Sequence, residues 1–292
     1  MTRVGFAGLG AMGAGIARRL HESGYDVVCW NRTKEKAEPL LQAGMGWADT
    51  PRELARSVDV LFTMLTNTAA VEATAEGPDG VLAGLREGMI WADISTIAPD
   101  ASVAMAERVR AAGAWFLDCP VSGSPATLAA GQMSVMVGGE WAAFESIQEV
   151  LRAIGPKVTY IGPNGQAILT KVAINLALVV SVTALAEAVA LVEKAGVDRA
   201  AVIDAMLKSV IASPVVGYRA PLLVDDTDVF ADVELQQKDL VLAQELARRL
   251  GAAVPTCAAT SEMLNAARSS KRADRDFVVS VHEAYRRLAG LA

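Results

Sequence analysis

Hydrophobic and polar positions follow two regimes along this 292-residue chain. Up to about residue 162, short apolar runs recur between stretches of helical period. The runs at 3–7, 26–30, 58–65, 89–93, 114–118, 133–137 and 157–160 predict strands, and the spacing over 34–43 and 99–112 predicts helices. Such alternation predicts a largely parallel α/β sheet. Beyond residue 162 the strand signal stops. Helices are expected over 166–195, 198–209, 214–224, 233–250, 255–268 and 274–289, broken by Gly196, Pro214, Asp225-Asp226, Gly251 and Ser269-Ser270. The pattern therefore divides the chain into an α/β domain over 1–163 and an all-α domain over 164–292.

The stretch 162–195 organises both. Gly162, Pro163, Asn164 and Gly165 form a turn, and neither Pro nor Gly interrupts 166–195. At 1.5 Å per residue the helix is about 45 Å long, more than one small domain needs, so it is expected to hold the two parts together. Its composition is that of a buried helix. Between residues 158 and 186 its only charge is Lys171. Such a lysine either snorkels to the surface or is desolvated, with a lowered pKa that primes it for proton transfer. Asn175, four residues on, shares its helix face. After Lys171 only 15 uncharged residues follow, among them Asn175, Ser181 and Thr183, which is short for a membrane span.

The first strand runs into Gly8, Leu9, Gly10, Ala11, Met12 and Gly13, then a helix. This is strand, G-x-G-x-x-G, helix, the signature of a Rossmann dinucleotide-binding domain. Gly8 permits the tight turn, Gly10 the approach of a pyrophosphate, and Gly13 close packing of helix on strand. The helix N-terminus attracts phosphate. After the second strand, where an acidic residue usually meets a free ribose hydroxyl, the chain has Asn31, Arg32 and Thr33. That favours NADP(H), with NAD(H) possible. Later strand ends put Met64, Leu65 and Thr66 on the cofactor side, together with the turn at Ile94, Ser95 and Thr96. The loop from Cys119 to Pro125 offers the N–H and O–H groups of Ser122, Gly123 and Ser124 to a carboxylate, unless it is an ordinary Ser/Gly/Pro loop. Lys238 and Asp239, early in a late helix, have the commoner meaning of a solvated helix face.

Composition narrows the field. The net charge is −6, which leaves no electrostatic footprint for nucleic acid or an anionic membrane. The glycine loop begins by Gly8, with no basic-then-apolar leader before it, so an unprocessed cytoplasmic chain is expected. Cys29, Cys119 and Cys257 have no metal or disulfide spacing, and His21 and His282 are the only histidines. No metal is expected. The apolar long helix suggests self-association, as a homodimer or homotetramer.

Taken together, the motifs resemble the β-hydroxyacid dehydrogenases, the group of 3-hydroxyisobutyrate dehydrogenase, tartronate semialdehyde reductase and glyoxylate/succinic semialdehyde reductase. The resemblance covers essentially the whole chain. It rests on the 8–13 loop, Asp93-Ile94-Ser95-Thr96, Asp118-Cys119-Pro120-Val121-Ser122-Gly123-Ser124, the run 162–175 and Lys238-Asp239-Leu240. It implies hydride transfer between NADP(H) and a small β-hydroxy acid or the matching aldehyde- or keto-acid. By the same resemblance, Lys171 is catalytic and Asn175 assists it. Ser122 and Gly123 bind the substrate carboxylate, with Ser124 beside them. Thr96 lies by nicotinamide and substrate, and Lys238 closes over both ligands. The chain departs from the family at Cys119 (often Ala), Ala167 (often Gly) and Ser124 (Gly in 3-hydroxyisobutyrate dehydrogenases), which bears on the substrate. Two other readings stand beside this one: a reductase of cyclic imines or uncharged ketones, whose family members usually lack the lysine, and a non-catalytic NADP-binding protein.

Overall fold

The computed structural model describes residues 2–225, 229, 231–269 and 274–291. The chain divides into two compact units, residues 1–171 and 172–292.

The first unit opens with β1 (Arg3–Ala7), α1 (Ala11–Glu22), β2 (Asp26–Trp30), α2 (Glu38–Gln42), β3 (Gly46–Trp47), α3 (Pro51–Ser57), β4 (Val60–Thr63) and α4 (Thr68–Ala75). It continues with β5 (Ile90–Asp93), α5 (Pro99–Ala111), β6 (Trp115–Asp118), β7 (Val121–Ser122), α6 (Pro125–Ala129), β8 (Ser134–Gly139), α7 (Trp141–Ile154) and β9 (Lys157–Gly162). The sheet order is β3-β2-β1-β4-β5-β6-β8-β7, with β9 pairing β8. From β3 to β6 every pairing is parallel, and β8 runs antiparallel to β6 and β7. Parallel strands are covered on both faces. Val4 and Phe6 share a buried cluster with Ile16 and Leu20 of α1 and Phe144 and Ile147 of α7. Gly5 faces the other way, where a Cβ would meet Leu54 of α3.

The predicted strands are all present, each end within two residues of its predicted position. The helix expected over 34–43 is instead a 3-10 turn (Lys34–Ala37) followed by α2, because Pro39 has no N–H to give to an α ladder. The two-residue strands β3 and β7 are too short to show a period. The helices α3, α4, α6 and α7 were not foreseen, although α7 buries Phe144, Ile147, Leu151 and Ile154 at helical spacing.

The long helix is α8 (Gln166–Lys194). It is followed by α9 (Arg199–Leu207), α10 (Pro214–Arg219), α11 (Val233–Leu250), α12 (Pro255–Arg268) and α13 (Phe277–Leu288). The helix expected over 214–224 is α10 plus a 3-10 turn (Ala220–Leu223), and Pro221 is again the interruption. The helix expected from 274 starts at Phe277, because the Asp276 side chain caps it by accepting from the Val278 N–H. Two of the expected breaks, at Asp226 and Ser270, lie outside the described residues.

α8 has the composition of a buried helix but is only partly buried within this chain. Its mean hydropathy over 18 residues reaches 2.1, enough in length and composition for a bilayer. Val179, Val182, Leu185, Ala186 and Val189 are buried, whereas Ile174, Ser181, Ala184 and Leu191 are exposed. Near the end of α8, Glu193 collects Arg199 (2.7 Å), Arg286 (2.6 Å) and His282 (2.7 Å). Burial alone would raise the Glu193 carboxyl. The hydrogen bond and charge of Arg199 reverse that and hold it below its ordinary value. Burial, with Arg199 nearby, pushes the His282 imidazole down despite Glu193.

Candidate active site

The first unit gathers its glycine loop and strand-end loops on one edge, because β1, β2, β4, β5 and β6 run parallel and end together. Ligands of open α/β sheets bind at such an edge. Gly8 has φ +101, and a Cβ there would sit 2.2 Å from the Met64 carbonyl oxygen. A Cβ on Gly13 would sit 2.1 Å from the Gly8 carbonyl oxygen, so α1 leaves β1 at van der Waals distance. A Cβ on Gly10 would meet nothing within 4 Å. The first intrahelical bond of α1 runs from the Ala14 N–H to the Gly10 oxygen, so the N–H groups of Ala11, Met12 and Gly13 have no place in the ladder. A glycine turn, open space and a helix N-terminus fit a pyrophosphate.

Asn31 is occupied within the protein. Its Oδ1 accepts from the Leu9 N–H (2.9 Å) and its Nδ2 donates to the Thr33 oxygen (2.8 Å). It ties the glycine loop to the end of β2, while Arg32 and Thr33 are exposed beside it. Met64 and Leu65 are half-buried and Thr66 exposed. Under them lies a buried polar cluster. Asp93 Oδ1 accepts from Thr63 Oγ1 (2.6 Å), Ser95 Oγ (2.7 Å) and the Ser95 N–H (3.2 Å). The Leu65 N–H donates to Ser95 Oγ (2.8 Å) and Trp91 Nε1 to Thr63 Oγ1 (2.9 Å). Thr96 follows, half-buried.

The loop from Cys119 to Pro125 is more ordered than its composition suggests. Ser122 is half-buried in β7 and Gly123 is exposed. Ser124, read as a substrate residue, is the N-cap of α6. Its backbone N–H and Oγ form a reciprocal capping box with Thr127, and it is buried. Cys119 is buried, and burial pushes its thiol pKa well up, so it acts as a small apolar filler.

At the end of β6, Asp118 anchors α8. Gly165 accepts the first bond of that helix, from the Leu169 N–H, but has no side chain to cap it. Asp118 supplies the acceptor from across the sheet. Its Oδ1 takes the Gly165 N–H (3.0 Å) and Asn164 Nδ2 (3.2 Å), and its Oδ2 takes the Ile168 N–H (3.3 Å). Burial outweighs these bonds and leaves the carboxyl above its ordinary value. Lys171, half-buried, comes three residues after Ile168, so β6 fixes the turn that carries it.

In the second unit, Asn175 and Asp239 are buried, and Asn175 Nδ2 donates to Asp239 Oδ2 (2.5 Å). Lys238 Nζ pairs with Asp239 Oδ1 (2.9 Å). The solvated-face reading of Lys238 and Asp239 is thereby overturned. In α11, Gln236, Asp239, Leu240 and Ala243 are all buried, so this stretch of the helix turns its acid inward. Sequence reasoning gave no role to Asp93 or Asp118. Their one signal is an acidic residue closing each of two neighbouring strands, Asp93 opposite Asp118. Among the described residues no group of three His, Cys, Asp or Glu could hold a metal ion.

A phosphate-ready glycine loop on a parallel sheet, with a helical unit after it, defines a nicotinamide-dependent oxidoreductase of the two-domain kind. Residues 3–162 match the family described as the NAD binding domain of 6-phosphogluconate dehydrogenase. Residues 165–283 match that described as NAD-binding of NADP-dependent 3-hydroxyisobutyrate dehydrogenase. The chain belongs to the β-hydroxyacid dehydrogenase family. Glyoxylate/succinic semialdehyde reductase 2 of Arabidopsis thaliana is 30% identical over 94% of this chain and 77% of its own length. The structure of 3-hydroxyisobutyrate dehydrogenase from Salmonella typhimurium superposes with a TM-score of 0.88 at 29% identity, covering 97% of this chain and 99% of that one. Psf3, solved with NADP+ and 2-OPP, gives 0.88 at 28% identity over 96% of this chain and 99% of its own.

Proposed function

We propose that this chain reduces a small aldehyde- or keto-acid to the corresponding β-hydroxy acid with NADPH, or runs the reverse, and that Lys171 is the proton donor and acceptor. The observation that carries the reading is the Asp118 anchor. It starts α8 at the sheet edge that also holds the 8–13 loop, and sets the only charge of an apolar stretch one turn further on. NADPH, when bound, supplies the hydride. The N–H groups of Ala11, Met12 and Gly13 hold its pyrophosphate, and Arg32 and Thr33 take the 2′-phosphate. Met64, Leu65, Thr66 and Thr96 line its side of the site. Ser122 and Gly123 hold the substrate carboxylate. Lys171 Nζ holds a proton near the carbonyl oxygen, stabilises the negative charge that develops there, and delivers the proton to it. Asn175 and Lys238, both tied to Asp239, assist. The presence of Lys171 favours this reading over an imine reductase.

The test is a panel of small aldehyde acids, their uncharged analogues and cyclic imines, followed by absorbance at 340 nm. Cofactor consumption only with the carboxylates is expected. Turnover of the imines, or none of any substrate with NADPH bound, would sink the proposal. In the same assay Arg32→Ala should raise the Michaelis constant for NADPH about tenfold and leave that for NADH nearly unchanged, since it removes one charge-assisted bond to a phosphate. Equal effects on the two would reassign Arg32.

The proposed assembly is a homodimer formed through the helical unit. A groove of about 320 Å³ runs along Ser181, Ala184 and Ala188 of α8 and faces Met206, Ile211 and Val216. In the same unit Val210 is fully exposed and Leu191 is 71% exposed. A second copy would cover this apolar surface. Sedimentation showing a monomer at micromolar concentration would rule it out.

A further inference from the structure

We propose that Asp93 is a positioning residue, whose carboxylate locks the loop after β4 to the loop after β5 and so sets Met64–Thr66 and Thr96 for the nicotinamide cofactor. The inference rests on the cofactor reading above. Thr63 and Asp93 are the last residues of neighbouring strands and lie in register. The protons in the cluster have one consistent arrangement. The Thr63 hydroxyl receives the Trp91 indole N–H, so its own proton goes to Asp93. The Ser95 hydroxyl receives the Leu65 N–H, so its proton also goes to Asp93. Each hydroxyl relays between a fixed donor and one oxygen, and that oxygen accepts three times. The Leu65 N–H belongs to one loop and Ser95 to the other, so the carboxylate holds both.

The charge makes this costly. Asp93 is fully buried, and among the described residues its Oδ2 has no hydrogen-bond partner. Burial pushes its pKa up to about 6, the bonds from Ser95 and Thr63 oppose that, and the Asp118 charge adds to it. Among the described residues, the ionisable groups that interact with its charge include Asp118 and the Cys119 thiol, both from the β6 side. Neither compensates a negative charge. Packing alone has no use for such a group, whereas a strong acceptor for two hydroxyls has. The carboxyl is ionised above its raised pKa. As pH falls through about 6 it takes up a proton, and the bonds at Oδ1 weaken from charge-assisted to neutral.

The test uses the full chain, with NADPH binding followed by protein fluorescence between pH 5.5 and 7.5, and melting of the ligand-free protein. Asp93→Asn keeps the size and an acceptor oxygen but removes the charge. It should weaken NADPH binding about tenfold at pH 7.5, the worth of exchanging charge-assisted for neutral hydrogen bonds. The wild-type/variant ratio should shrink toward pH 5.5, where most of the wild-type carboxyl has taken up its proton. The ligand's own ionisation cancels in that ratio. The melting temperature at pH 7.5 should stay within a few degrees of wild type, because the lost bonds are offset by removal of a buried charge. Equal affinity with an unchanged pH profile overturns the proposal. So does a variant that loses more than about 10 °C, which would assign Asp93 to holding the fold. A wild-type chain that binds no NADPH sinks the cofactor reading, and this inference with it.

Discussion

Lys171→Ala is expected to lower turnover by about 10²–10⁴ while the NADPH dissociation constant changes less than twofold, because proton transfer by a positioned group is worth that much. The alanine keeps α8 intact, since Ala is the best helix former and Lys171 is half-buried. Single-turnover absorbance at 340 nm reads the first quantity and fluorescence titration the second. A variant with near wild-type turnover would leave the proposed reaction without its proton source. Loss of cofactor binding alone would make Lys171 a binding residue.

Asp118→Ala is expected to destabilise the protein by about 3 kcal/mol or more, since it strands the two buried N–H groups of Gly165 and Ile168, while the Asn164 amide keeps the Phe116 carbonyl oxygen as acceptor. It also frees the first turn of α8, so activity should fall further than the folded fraction does. Asp118→Asn keeps one acceptor oxygen for Gly165 and Asn164 but turns an N–H toward that of Ile168. Its cost should be smaller, about 1–2 kcal/mol. The pH dependence has a definite sign. The folded carboxyl titrates above its unfolded value, so the wild type gains stability relative to Asp118→Asn as pH falls into the carboxylate range. Urea unfolding at several pH values measures all three quantities. A cost below about 1 kcal/mol for the alanine would mean that water replaces Asp118 at the helix end.

The sequence made legible whatever depends on local period and backbone geometry. The strands at 3–7 and 26–30 and the helices at 233–250 and 255–268 match the structure to the residue. The glycine loop was readable because each glycine answers a local requirement at 8, 10 or 13. The prolines at 39 and 221 are visible in the sequence, and each turns part of an expected α-helix into a 3-10 turn. What stayed hidden are acids whose partners are far along the chain. Asp118 meets Gly165 47 residues later, and Asn175 meets Asp239 after 64. A single Asp reads as surface until its donors are brought to it by the fold. Ser124 shows a structural role that the sequence did not suggest. A hydroxyl in a small-residue loop looks available for ligand, yet its reciprocal bonds with Thr127 start α6.

The carboxamide at the end of β2 bears on any attempt to exchange one coenzyme for another. The usual route would place an acid at position 31 to meet a free ribose. Here that side chain must both give and receive a proton, and Asn31→Asp would set a carboxylate oxygen 2.8 Å from the Thr33 carbonyl oxygen. The swap would keep an acceptor for the Leu9 N–H but turn the tie to Thr33 into a repulsion, so retuning has to begin with Arg32 and Thr33.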